Sequence, residues 1–197
     1  MRRVDHMSDN SANRRFERES AKRVFAAELR EAHHHFREGT DDKSPTYILL
    51  PTGERCNRVF IAGTLTEKKK SEGEAVFYQI RVMDPTGIFF VSAGSYQPEA
   101  LHQISSIESP SYVVIIGKPG VFQAPDGRNL VSIRAESITA VDKTVVDCWI
   151  LDTARLTLDR IEKNNDDPDH QKAAEIYQRP FESWRPKVKE ALASIQL

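Results

Sequence analysis

The chain has 197 residues, with 28 basic and 29 acidic side chains, a formal net charge of −1 and a pI near 6.6. That length suits one domain with helical additions, and the charge balance excludes a strongly basic nucleic-acid binder, so any hold on phosphate must come from a local patch, from base stacking or from a partner subunit. No apolar run approaches the roughly eighteen residues of a membrane span and no apolar signal core opens the chain, which leads to the expectation of a cytoplasmic protein; Cys56 and Cys148 form no CxxC pair or ligand spacing, against a disulfide framework or a zinc site.

Residues 1–13 are polar and read as a flexible tail. From Arg14 to Glu38 the apolar residues Phe25, Leu29, Ala32 and Phe36 recur at i, i+4, i+7 and i+11, which predicts an amphipathic helix across 14–39, stopped by Gly39. The connector "TDDKSP" follows. The period then changes. In "RVFIAGTLT", Arg58 to Thr66, Val59, Ile61 and Leu65 share a face and Gly63 marks a bulge or close approach, giving a first strand. "EKKKSEGE" reads as a charged loop, and Val76 to Met83 alternates as a second strand, with Tyr78, Ile80 and Val82 on one side and Phe77, Gln79 and Arg81 on the other. Asp84-Pro85-Thr86-Gly87 forms a tight turn into a third, antiparallel strand.

Pro98, Leu101, Ile104 and Ile107 predict a short helix; Ser111 to Gln123 is a fourth strand, "APDGRN" a hairpin turn, and Leu130 to Val141 a fifth strand. Three strands, a short helix and two strands are the element order of the OB-fold, so residues 45–142 are expected to form a five-stranded barrel in a mainly β chain with added helices (α+β). Residues 143–197 turn helical again. Val146, Ile150, Ala154 and Ile161 form a stripe with Trp149 beside it, and Trp184, Val188, Leu192 and Ile195 form another.

With Tyr78, Ile80 and Val82 inside the barrel, pairing through the turn puts Phe89, Val91 and Ala93 inside too, and turns Phe90 and Ser92 outward beside Phe60, Phe77, Gln79 and Arg81. Phe90 then either offers a platform for a base or packs under one of the added helices. Between Arg58 and Asp142 eight basic residues face nine acidic ones. Lys68, Lys69 and Lys70 are expected in the loop between strands one and two and Arg128 in the loop between strands four and five, where they either hold phosphates or are ordinary solvated tips. Thr64, Lys118, Phe122 and Arg134 complete the candidate nucleic-acid surface. His33, His34 and His35, read as helical, point about 100° apart and cannot converge on one metal ion. There is no GxSxG, no phosphate-binding glycine loop and no Cys-His pairing, so no enzyme, cofactor or small-molecule substrate is expected.

The runs "YILLPTGERCNRVFIAGTLTEK", "RVMDPTGIFFVSAGSYQPEA" and "VSIRAESITAVD" resemble the archaeal replication protein A-associated proteins, over roughly residues 20–163. The resemblance implies an OB-fold subunit that works with replication protein A in binding single-stranded DNA during replication and repair. It also implies that helices following the barrel join subunits, which would assign Val146, Trp149, Ile150, Ala154 and Ile161 to a replication protein A partner instead of to the chain's own barrel. Two functions stay open at this point: a single-stranded DNA-binding accessory subunit, favoured by the outward aromatics, and an assembly or regulatory subunit that contacts protein only, favoured by the near-neutral charge.

Overall fold

The computed structural model describes residues 19–39, 44–71, 75–163 and 166–195. The expected tail, the start of the expected N-terminal helix, most of "TDDKSP" and part of "EKKKSEGE" lie outside them. The N-terminal region is not one helix. It is a two-residue strand β1 (Lys22–Arg23), a short helix α1 (Ala26–Glu31) and a strand β2 (His34–Arg37). Phe25, Leu29 and Ala32 are buried within or beside the one helical block, but Phe36 belongs to β2 and stacks on Tyr47 with ring centroids 5.8 Å apart. The helical spacing ended after Ala32 because β2 pairs antiparallel with β3 (Thr46–Leu49), which in turn pairs with β4 (Arg55–Cys56); tertiary pairing outweighs a mediocre helix propensity in the histidine run. This small three-stranded sheet had no counterpart in the sequence reading.

The barrel follows the expected order. β5 (Val59–Lys70), β6 (Tyr78–Asp84) and β7 (Gly87–Ala93) form a meander, helix α2 (Pro98–Ser106) intervenes, and β8 (Ser111–Gln123) and β9 (Asn129–Ala140) form a hairpin. The order β5-β6-β7-β9-β8 closes through β5 pairing with β8, and only the β7–β9 contact within the ring is parallel. This closed five-stranded barrel is an OB-fold. β5 serves both neighbours by bending: its first half pairs with β8 and its second with β6. Gly63 sits at the change, where a Cβ would lie 2.3 Å from the Met83 carbonyl oxygen, so no side chain fits. Alternation on β6 and β7 puts Tyr78, Ile80, Val82, Phe89, Val91 and Ala93 inside, as their spacing required. Ala100 and Ile104 of α2 are buried in the same core, and the Ile138 N–H donates to the Gln103 side chain (2.8 Å).

Helix α3 (Lys143–Ile161) follows the barrel, then α4 (Pro168–Tyr177), a 3-10 turn (Phe181–Trp184) and α5 (Arg185–Ala193). The stripe assigned to a partner is instead part of this chain's core. Val146, Trp149, Ile150, Ala154 and Ile161 are all buried; Trp149 meets Phe25 edge to face at 5.7 Å, and its indole N–H donates to the Phe60 carbonyl (2.9 Å). A helix of 19 residues with one apolar stripe gains most by covering the nearest apolar strand, here β5 and β1. At the far end of α3, Arg160 donates to Glu28 (2.9 Å), Thr157 (2.8 Å) and Thr52 (3.1 Å), locking α1, α3 and the β3–β4 turn together. Asp84 holds α1 to the barrel: its carboxylate accepts from the Ala26 N–H (2.8 Å) and from Thr86 and Gly87 of its own turn.

Candidate nucleic-acid interface

The outward face of β6, β7, β9 and β8 carries one continuous row of side chains. Lys69 pairs with Gln79, Gln79 with Ser92, Ser92 with Arg134 and Arg134 with Lys118. Cross-strand partners share a face, so these five stand side by side across the barrel. A second row holds Glu67, Arg81 and Phe90. A register shift between Leu65 and Glu67 sets the second half of β5 in step with Arg81 and so places Glu67 and Lys69 on this face.

Between the rows lies a groove of about 440 Å³, lined among others by Phe77, Gln79, Arg81, Phe90, Ser92 and Phe122. Its three phenylalanines are 36% (Phe77), 41% (Phe90) and 50% (Phe122) exposed, while Phe89, one residue from Phe90, is buried. The adjacent phenylalanines thus divide as a strand demands: one fills the barrel, the other is bare. A neighbouring cleft of about 360 Å³ shares Phe77 and Ser92 and adds Arg134 and Tyr96, which is 94% exposed. Gly94 at its edge leaves room for the Phe77 ring, which an added Cβ would approach to 3.1 Å.

The charges on this face are uneven. Glu67 bridges Lys69 (2.7 Å) and Arg81 (3.0 Å), and these two cations hold its carboxyl below the usual carboxylate range. Arg81 also lies 5.8 Å from the centre of the Phe90 ring. Arg134 and Lys118, directly opposite each other and exposed, have no ion-pair partner among the described residues. Like charges set face to face in a sheet are unfavourable, and an anion between them would relieve that. The face therefore offers flat apolar rings beside two uncommitted cations, a combination suited to a polyanion with exposed bases.

Other expected contacts are placed elsewhere. Phe60 is half-buried under α3 and β1, with the Arg23 guanidinium 4.8 Å from its ring centre, and does not line the groove. Thr64 pairs with Met83 and Tyr112, on a separate stretch of the barrel wall. Lys68 to Lys70 lie on the end of β5, not in a loop, and so alternate. Only Lys69 lines the groove; Lys68, opposite Ile80, donates to the carbonyls of Ile107 (2.6 Å), Ile104 (3.2 Å) and Ser105 (3.3 Å) at the end of α2, as a cation at a helix C-terminus should. Lys70 is exposed at the strand end. Arg128 pairs with Asp126 of its own turn (2.6 Å). Glu67, Tyr96, Leu130 and Ser132 border the two clefts and were missed. Leu130 was legible as the cross-strand partner of Phe122, whereas Tyr96 follows no period that would have marked it.

No protein-family model and no curated protein matches this chain. Solved structures with a similar chain path include the second single-stranded DNA-binding protein (SSBb) of Mycobacterium smegmatis, at 16% identity over 45% of this chain and 89% of that one, with a TM-score of 0.38. Others are the OBody NL8 bound to hen egg-white lysozyme (18%, 44% and 96%, TM-score 0.37) and yeast Stn1 and Ten1 (13%, 62% and 62%, TM-score 0.43). At these identities and scores no ligand or role is carried over from them; the assignment of the fold rests on the strand order and closure above.

Proposed function

We propose that this chain is a non-catalytic single-stranded DNA-binding accessory subunit, acting in the cytoplasm beside an archaeal replication protein A in DNA replication and repair. The observation that carries the DNA-binding reading is the exposure of Phe77, Phe90 and Phe122 around one groove, next to Arg134 and Lys118, which have no ion-pair partner among the described residues. Bases stack on the rings, at about 1–3 kcal/mol per base and without regard to sequence, and phosphates meet the cations. The replication protein A role draws on the sequence resemblance alone, and the partner contact moves off the buried α3 stripe.

A second reading, a scaffold that meets only protein, draws on the net charge of −1 and on Glu67 standing in the groove. Fluorescence anisotropy of labelled oligo-dT with the purified chain decides between them. The DNA reading expects binding that Phe90→Ala weakens and that Arg134→Ala combined with Lys118→Ala weakens in low salt; an inert wild-type chain would transfer the DNA contact to the partner.

A further inference from the structure

A second cleft, of about 420 Å³, opens at the barrel end beyond the groove, between α1, the start of β2 and the segment after α4, lined by Arg30, Glu31, His33, Asn129, Tyr177 and Arg179. Three of these six side chains are basic and one is acidic. Glu31 is engaged by Arg179 (2.6 Å), whose Nε also donates to Ser183 (2.8 Å) while its guanidinium rests 4.9 Å over the Trp184 ring. These contacts fix the guanidinium and leave part of its donor fork open to the cleft. His33 is set by Nδ1 lying 2.9 Å from the Glu31 carbonyl and by Tyr177 edge-on at 4.9 Å, and among the described residues Nε2 has no hydrogen-bond partner. Arg30 is exposed and has no ion-pair partner among the described residues.

The cleft adjoins the groove around the end of the barrel: Asn129, the first residue of β9, lines the cleft, and the next residue, Leu130, turns to the other face and lines the groove. The β6–β7 turn closes the same end, since a Cβ at Gly87 would stand 3.8 Å from an Arg30 guanidinium nitrogen, and Phe90 follows three residues along β7. At about 3.3 Å per residue, the step along β9 from Asn129 to Leu130 is roughly 3 Å and that along β7 from Gly87 to Phe90 roughly 10 Å. We infer that this cleft receives a backbone phosphate of the same single strand after it passes the lip formed by Phe122 and Leu130, so that the binding path runs off the barrel onto the N- and C-terminal additions. This rests on the DNA-binding reading above and lengthens its path.

The test is anisotropy with two labelled dT oligomers, of about 6 and about 16 nucleotides, chosen to bracket the site sizes of single OB barrels. Arg30→Ala and His33→Gln are the variants, with Phe90→Ala as reference; both replaced side chains are exposed, and far-UV circular dichroism checks the fold. The expected result is a loss of several-fold in affinity for the longer oligomer only, with the salt slope for Arg30→Ala shallower by about 0.7–1. Phe90→Ala should weaken both oligomers. Equal losses on both lengths for Arg30→Ala, or none on the longer one, would overturn the extended path while leaving the groove intact. Failure of the wild type to bind either oligomer would remove the DNA reading and this inference with it.

Discussion

Glu67→Gln separates stacking from electrostatics in the groove. In the wild type, Glu67 holds both Lys69 and Arg81, so of the cations on the face Arg134 and Lys118 are the two without an ion-pair partner among the described residues and meet phosphate. For a single strand, log K falls with log salt at about −0.7 per phosphate neutralised, so two free cations give a slope of about −1.4. Between 50 and 200 mM salt this amounts to a loss of about sevenfold in affinity. Replacing the carboxylate by an amide releases two more cations, which brings the slope to about −2.8 and the loss over the same range to roughly 50-fold. The assay is a salt titration of oligo-dT binding by anisotropy, with a strand of about 6 nucleotides so that only the groove is read. The variant should bind more tightly than wild type at low salt and converge on it as salt rises. A slope unchanged by the substitution would refute the placement of Lys69 and Arg81 along the phosphate path.

Three further outcomes follow from the packing. Phe89→Ala should cost about 3–5 kcal/mol of stability as a buried ring is lost, whereas Phe90→Ala should leave the denaturant midpoint nearly unmoved and weaken oligo-dT binding by about 5- to 150-fold; equal destabilisation by both would show that Phe90 is not bare. Trp149→Ala should cost about 3–5 kcal/mol and strip the Phe60 carbonyl of its donor, read as a lowered unfolding midpoint of the chain alone; an unchanged midpoint would return the stripe to a partner. Burial lowers the pKa of His170, which stacks on Phe181 at 3.7 Å with Nε2 unpartnered. The unfolded chain therefore binds that proton more readily, and the stabilisation present above the ordinary histidine value of about 6.5 is lost as pH falls below it. Urea unfolding at about pH 7.5 and 5.5 should show a smaller acid loss for His170→Gln than for wild type. Asp84, raised by burial to about 6, acts with the opposite sign, losing stability as pH rises from about 4 to 6, and it remains in both proteins.

The barrel was legible because its signals are local. Alternation on β6 and β7, the Asp-Pro-Thr-Gly and Asp-Gly turns, and the proline opening α2 each fix a short segment without reference to the rest. The outward direction of Phe90 followed from pairing parity alone. What failed were inferences that needed a neighbour. Phe25, Leu29, Ala32 and Phe36 keep helical spacing in the sequence, yet only the pairing of His34 with Leu49 decides that the last of them stands on a strand. Three consecutive lysines look alike, yet a strand gives them different faces, and the open carbonyls at the end of α2 claim Lys68. Arg128 does stand in the β8–β9 loop as expected, but its pairing with Asp126, two residues earlier, had to be seen. An apolar stripe such as that on α3 has the same appearance whether its own barrel or another chain covers it.

That last ambiguity also bears on the groove, because an exposed aromatic beside several added helices has every opportunity to be covered. Here the additions occupy the other sides. β1 extends the sheet along the first half of β5, α3 lies over β1, β5 and β8, α1 sits against the β6–β7 turn, and the end of α2 is tied to the end of β5 through Lys68. The buried set Glu28, Arg160, Thr52 and Thr157 ties the N-terminal helix to the end of α3 on that same side. None of these elements crosses the row from Lys69 to Lys118. Burying Phe90 would gain on the order of 1.5–3 kcal/mol, and a chain with several amphipathic segments has the means to do it. Its helices instead bury Trp149 and Trp184 and leave Phe77, Phe90 and Phe122 exposed, with two facing cations that have no ion-pair partner among the described residues. A face that forgoes apolar burial and sets like charges opposite each other is less stable by itself than in contact with an anion that carries flat rings, and that difference is the free energy available for binding.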